Sequence, residues 1–163
     1  MFDPTTLTGF HTWLSLIGIA AGFVVLLDLI GGRSRPLWAA IFLITAIGTS
    51  VTGFLFPFNG VLPSHVVGVI ALLVLVFQTL GLYAFGLAGG WRRIYAASAV
   101  ISLYLLVFVG VAQAFAKIPA LHAAAPTQAE PPFAIAQGIV LLIFVGLGLL
   151  AVRGFRPALR PAV

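Results

Sequence analysis

Three histidines, His11, His65 and His122, and one carboxylate inside an apolar run, Asp28, are the residues of this chain best suited to chemistry. An imidazole can ligate a metal, hold a haem iron or carry a proton near neutral pH. His11, Ser15, Gly18 and Gly22 recur at spacings of four, three and four, which places them on one stripe of a helix. His65, Gly68, Leu72, Val76, Thr79 and Tyr83 form a second stripe. Each histidine thus shares a face with small residues, which let another helix or a flat ligand come close. In an up-down bundle the first and third helices are diagonal, at roughly 13 Å. That gap could hold a metal-centred planar ligand between opposed imidazoles. Haem b, or a quinone, is therefore one cofactor to weigh.

Three features count against haem. Both histidines lie near the membrane boundary, only Lys117 stands ready for propionates, and there is no second histidine pair at the other end. Gly18-x-x-x-Gly22 is more simply a helix-packing motif. His11, His65 and His122, with Glu130 near in sequence, could bind zinc or copper, but their spacing matches no local metal motif. The plainer reading of His122 is a solvated loop residue. An intramembrane acid is by default a functional candidate. Asp28, however, lies some 25 Å below His11 at helical rise, so Arg33 or Arg35 in the adjoining turn could pair with it. Structural pairing is preferred to a proton relay.

Other polar residues fall at one depth: Ser15 with His11, then Thr49, Ser50 and Thr52, then His65, Gln113 beside Lys117, and Gln137. Polar groups in hydrocarbon seek partners inside the bundle. The layer reads either as hydrogen bonding between helices or as a polar pocket open to the outer face. In the second case His11, Ser15, Gly18, His65, Gly68, Gln113, Lys117 and Gln137 would line the ligand. Gln78, Thr79, Ser98 and Ser102 read as further hydrogen-bonders between helices.

The elements that position these residues are apolar runs. The 163-residue chain is 62% hydrophobic and 7% charged, with a mean hydropathy of +1.22. A soluble domain has about a quarter of its residues charged, so this chain is read as a membrane protein. Five runs, roughly Phe10–Ile30, Leu37–Phe56, Ser64–Leu87, Ile94–Ala116 and Pro132–Val152, are long enough to cross a bilayer as helices. They predict an all-α integral membrane domain spanning residues 1–163, an up-down bundle of four helices with the fifth alongside. Arg33, Arg35, Arg92, Arg93, Arg153, Arg156 and Arg160 fall at one end and Lys117 at the other. Short loops rich in arginine stay in the cytoplasm, so the N-terminus is expected outside and the C-terminus inside. Asp3 and the lack of a cation before Phe10 make the first run a span rather than a signal peptide.

Topology thus accounts for the net charge of +5, and nucleic acid is not an expected partner. With no cysteine there are no disulfides, thiolate metal sites or covalent haem attachment. Rings gather at two levels: Trp13, Phe54, Phe56, Phe58, Phe115 and Phe133 at the outer boundary, and Trp38, Tyr83, Trp91 and Tyr95 at the inner one. The tail from Gly154 is expected to lie along the inner headgroups. Gly31-Gly32 with Arg33 and Arg35, and Gly89-Gly90 with Arg92 and Arg93, form a weak internal repeat. It reads as duplication or as one good turn used twice. The APTQAEPPF stretch reads as a helix start, with Pro131 or Pro132 in the first turn and Glu130 just before it, or as a lid over the outer end.

The segments FHTWLSLI, LPSHVVGVIAL and WRRIYAASAVISLYLLVFVGVAQAFAKIPALHAAAPTQAEPPF together resemble a family of small, multi-helix bacterial inner-membrane proteins. The resemblance covers most of the chain and implies that setting, but brings no activity with it. Similarity to b-type haem four-helix bundles is faint. There is no Walker A, HExxH or GxSxG motif and no pair of intramembrane acids. The leading expectation is a non-enzymatic accessory or scaffold protein of the bacterial inner membrane, with a membrane-protein partner or its own copies and an outer polar pocket. The alternatives are a small haem or quinone electron carrier using His11 and His65, and a carrier or channel for a small solute.

Overall fold

Helix ends are written into the sequence by caps and prolines. Thr6 is extended, and its hydroxyl accepts the Gly9 N–H at 3.1 Å, which starts α1 (Leu7–Ile30). Pro36, Pro119 and Pro131 each open a helix, where a missing N–H costs nothing. They begin α2 (Pro36–Gly53), the short α5 (Pro119–Ala124) and α6 (Pro131–Gly154). Between them run α3 (Pro63–Thr79) and α4 (Trp91–Lys117). The computed structural model describes residues 3–56 and 63–156. Phe58, Arg160 and most of the basic tail lie outside the described residues. Of the described residues 82% are helical and none forms a strand, and five of the helices are long and apolar enough to span a membrane. They fit a multi-pass membrane protein.

α1 packs most extensively on α2; α2 also meets α3, α3 meets α4, and α4 returns to α1, closing a ring of four. α6 lies across the seam between α4 and α1. In lipid, hydrophobicity cannot choose neighbours, because the tails are as apolar as leucine; close fit must do so. The fit is visible at glycines on α1 and α2. A methyl at Gly22 would lie 2.6 Å from Leu103 Cδ1 and 2.8 Å from Phe42 Cε2. At Gly18 it would meet Thr45 Oγ1 and Leu106 Cδ1, each at 3.2 Å. The stripe of small residues on α1 is therefore filled by α2 and α4.

α3 does not run on as an α-helix to Leu87. It widens into a π turn over Leu80–Ala84, with Phe85 N–H bonded to Leu80 O, and then makes a left-handed step at Leu87 (φ 62°). The wider turn lets Gly81 approach the start of α4, where a methyl would lie 3.1 Å from Tyr95 Cβ. Both turns use a glycine at positive φ, Gly32 at 69° and Gly89 at 52°, but the α1–α2 turn follows α1 with no π turn and is closed by an Arg33 N–H bond to Asp28 O. The two glycine-arginine turns are thus alike in sequence and unlike in conformation. Two rings expected at the boundaries are instead buried. Tyr95 is 1% exposed and packs on Phe155, and Phe115 meets Phe133 edge-on at 5.3 Å. Tyr95 sits on the face of α4 that meets other helices, and depth along a helix says nothing about face.

Candidate functional site

The two histidines of the spans converge on one structure, the end of α2. His11 Nδ1 lies 2.8 Å from Thr52 Oγ1. Thr52 has one hydroxyl proton, and it is directed back at the Gly48 carbonyl, 2.7 Å away. The hydroxyl oxygen is then the acceptor and His11 Nδ1 carries the proton, which leaves Nε2 with a lone pair. The imidazole also meets Phe56 edge-on, with ring centroids 5.2 Å apart. His65, 9% exposed, approaches from α3 and lies against Phe54, ring centroids 5.8 Å apart. Phe54 also covers Gly68, where a methyl would lie 3.0 Å from its Cζ. Both imidazoles therefore serve as side walls for the last turn of α2.

The remaining residues of the expected outer layer divide between two places. Ser15, Ser50 and Thr52 donate to carbonyls of their own helices, His11, Ala46 and Gly48 respectively. Gln137 is buried between α6 and α4, and its Nε2 donates to Phe108 O at 3.0 Å. Gln113 and Lys117 are exposed on α4. His122 is exposed on α5, a helix that the sequence alone leaves as loop. No group of three His, Cys, Asp or Glu side chains able to hold a metal ion occurs among the described residues.

A flat macrocycle needs an open slot between the histidine stripes. Thr45 and Leu106 fill the notch at Gly18, and Phe54 fills the one at Gly68. The described residues of these stripes do not fit a haem. The expected hydrogen bonds at the α3–α4 seam also differ. The Thr79 hydroxyl turns back to Leu75 O, the nearest carbonyl on its own helix. Gln78, 0% exposed, has neither amide atom bonded, and the Ser102 hydroxyl is likewise unbonded.

At the opposite end Asp28 is 3% exposed and paired as expected. Arg35 Nε donates to Oδ2 at 2.7 Å, and Arg33 Nε stands 3.7 Å from Oδ1. Arg35 is held further in its charged form, chiefly by this hydrogen bond. The carboxylate borders a cavity of about 10 Å³, room for one water centre, walled in part by Ser34, Tyr95 and Phe155. Phe155, just past α6, closes this end over Asp28, an arrangement with no sequence signal beyond an aromatic after a glycine.

At the end opposite Asp28, the α5–α6 connection is tied down by side chains. Gln128 Nε2 donates to Ala112 O on α4 at 2.8 Å, and Glu130 accepts from the Thr127 hydroxyl at 2.8 Å. The described residues form an α-helical bundle that fits a multi-pass membrane protein, with side-chain bonds between elements at His11–Thr52, Gln137–Phe108 and Gln128–Ala112. Compared with models of known protein families, with curated proteins and with solved structures, the chain matches none.

Proposed function

We propose that this is a non-enzymatic accessory or scaffold protein of a bacterial inner membrane, with its N-terminus outside and its C-terminus in the cytoplasm. The observation that carries the reading is how the polar side chains of the spans are used. His11, Ser15, Ser50, Thr52, Thr79, Gln137 and Asp28 each bond a neighbouring helix, an adjoining turn or their own backbone. Thr49, Gln78 and Ser102 are buried without a partner, and the surface left open is apolar: α3 and α6 bury 17% of their apolar windows, against 39% for α1, α2 and α4. Such faces suit lipid, a second copy or a partner span. The orientation follows from arginine in the short turns at one end and Lys117 at the other.

Photo-cross-linkers placed in native membranes at Leu142 on α6, 73% exposed, and Leu73 on α3 test this reading. A discrete protein adduct from either face, absent from a buried position such as Leu103, is expected. Adducts with lipid alone at both faces would sink it. The chain has no native cysteine, so orientation can be read by single-cysteine labelling: K117C should react from outside and R93C should not.

A second reading, an electron carrier holding haem between His11 and His65, is disfavoured by the filled notches at Gly18 and Gly68. Air-oxidised and dithionite-reduced spectra of the purified protein, beside His65→Ala, decide between the two. A colourless wild type made with ample haem supply is expected. Soret and α bands lost in the variant would put electron transfer first.

A further inference from the structure

The start of α4 and the end of α6 meet around a cavity of about 260 Å³ lined by Arg92, Arg93, Arg153, Arg156 and Val152. Arg93, Arg153 and Arg156 are exposed and Arg92 is half-buried, so water screens part of the repulsion among the four, and an anion placed among them relieves the rest. The chain cannot supply that anion from its acidic side chains. It has three, and each is engaged elsewhere: Asp28 with Arg35 and Arg33, Glu130 with Thr127, and Asp3 with Thr5. Asp3 and Glu130 also stand at the opposite end of the bundle, before α1 and α6.

Two further observations point to an external anion. Arg92 Nε is shielded from solvent and has no hydrogen-bond partner, so a donor is buried at this recess unsatisfied. No side chain caps the first turn of α4, which carries Arg92 and Arg93, so the positive end of the helix dipole adds to the field. The depth is that of a headgroup. Trp91, stacked on Phe85 with ring centroids 3.9 Å apart, directly precedes the two arginines, and tryptophan settles where hydrocarbon meets headgroups.

We propose that this recess binds the phosphate groups of an anionic phospholipid, with a headgroup bearing two phosphodiesters as the best match to four guanidiniums. Arginine forks pair with phosphate oxygens two bonds at a time, and basic recesses between spans favour such headgroups. α4 and α6 are both spans, so a lipid seated here would keep its acyl chains on their apolar outer faces.

The test uses the full chain in detergent, with bound lipid counted by native mass spectrometry. The probes are diphosphatidylglycerol, phosphatidylglycerol, phosphatidylcholine and inorganic phosphate. The expected order is retention of diphosphatidylglycerol first and phosphatidylcholine last, with inorganic phosphate failing to displace the lipid. R92Q/R153Q should weaken retention of the two-phosphate lipid about tenfold or more. R92K/R153K should fall between, because lysine keeps the charge and loses the fork. K117Q, which removes one charge at the other end, should leave retention unchanged. Equal retention of phosphatidylcholine and the anionic lipids by the wild type would overturn the proposal. So would full displacement by inorganic phosphate, which would make the recess a free-phosphate site. An equal loss in K117Q would also overturn it, by reducing the effect to net charge.

Discussion

Arg35 Nε donates to Asp28 Oδ2 at 2.7 Å across the α1–α2 turn, joining the last turn of one span to the residue that caps the next. The two partners differ in surroundings: the Asp28 side chain is 4% exposed and that of Arg35 53%.

That difference predicts unequal mutants. Arg35→Gln strands a buried carboxylate with only Arg33 nearby, whereas Asp28→Asn frees a guanidinium that water already reaches. Arg35→Gln should therefore lower the thermal midpoint in detergent more than Asp28→Asn. The double variant should resemble Asp28→Asn. Equal effects would mean that the pair does not hold the turn.

At the other end, Thr52→Val keeps the shape of the side chain and removes the acceptor for His11 Nδ1. A loss of about 1 kcal/mol is expected, the net value of one hydrogen bond. The imidazole nitrogen signals give a sharper check. They should report the Nδ1–H tautomer in the wild type and a mixture in the variant. An Nε2–H tautomer in the wild type would reverse the assigned donor.

Gly154 is where α6 comes down on α1. A methyl there would lie 2.5 Å from Ile30 O, a backbone atom that cannot step aside. Gly154→Ala should cost about 1–3 kcal/mol and widen the α1–α6 distance measured between spin labels at the two helix ends. Gly146, with nothing within 4 Å of its would-be methyl, is the control and should accept alanine without loss. A silent Gly154→Ala would mean that the helices do not cross there.

Glu130 makes the α5–α6 connection sensitive to acid. Lost hydration raises its pKa, but hydrogen bonds from Thr127 and neighbouring backbone N–H groups together outweigh that and hold it below the ordinary value. A carboxyl with a depressed folded pKa contributes stability above its unfolded value and loses it as pH falls through the folded one. The Thr127–Glu130 contact should thus persist through neutral pH and release below the ordinary glutamate range. Thr127→Val should move the Glu130 titration, followed by carboxyl NMR, upward. An unmoved titration would show that the Thr127 hydroxyl does not hold the charge.

Much of the fold was legible because the bilayer is a strict solvent. Five apolar runs of about twenty residues, carrying one acid between them, admit few other readings, and proline or glycine marks their ends. The Asp28–Arg35 pair was legible too, since an acid near a helix end and arginines in the adjoining turn leave little choice of partner. The histidine pair was half legible. Its shared level could be counted along the helices, but not the turn of α2 that stands between His11 and His65.

The sequence by itself determined the number of spans, their approximate limits and the gathering of arginines at one end. These follow from length, charge and the cost of leaving backbone groups unbonded in hydrocarbon. Only the tertiary structure decided which faces meet: Tyr95 inward under Phe155, Gly18 and Gly22 filled by α2 and α4, and four arginines from two distant segments around one recess. The reason is that these spans are apolar on every side. An amphipathic helix shows its inner face as a change in polarity, but a helix bathed in lipid shows it only through fit against another helix.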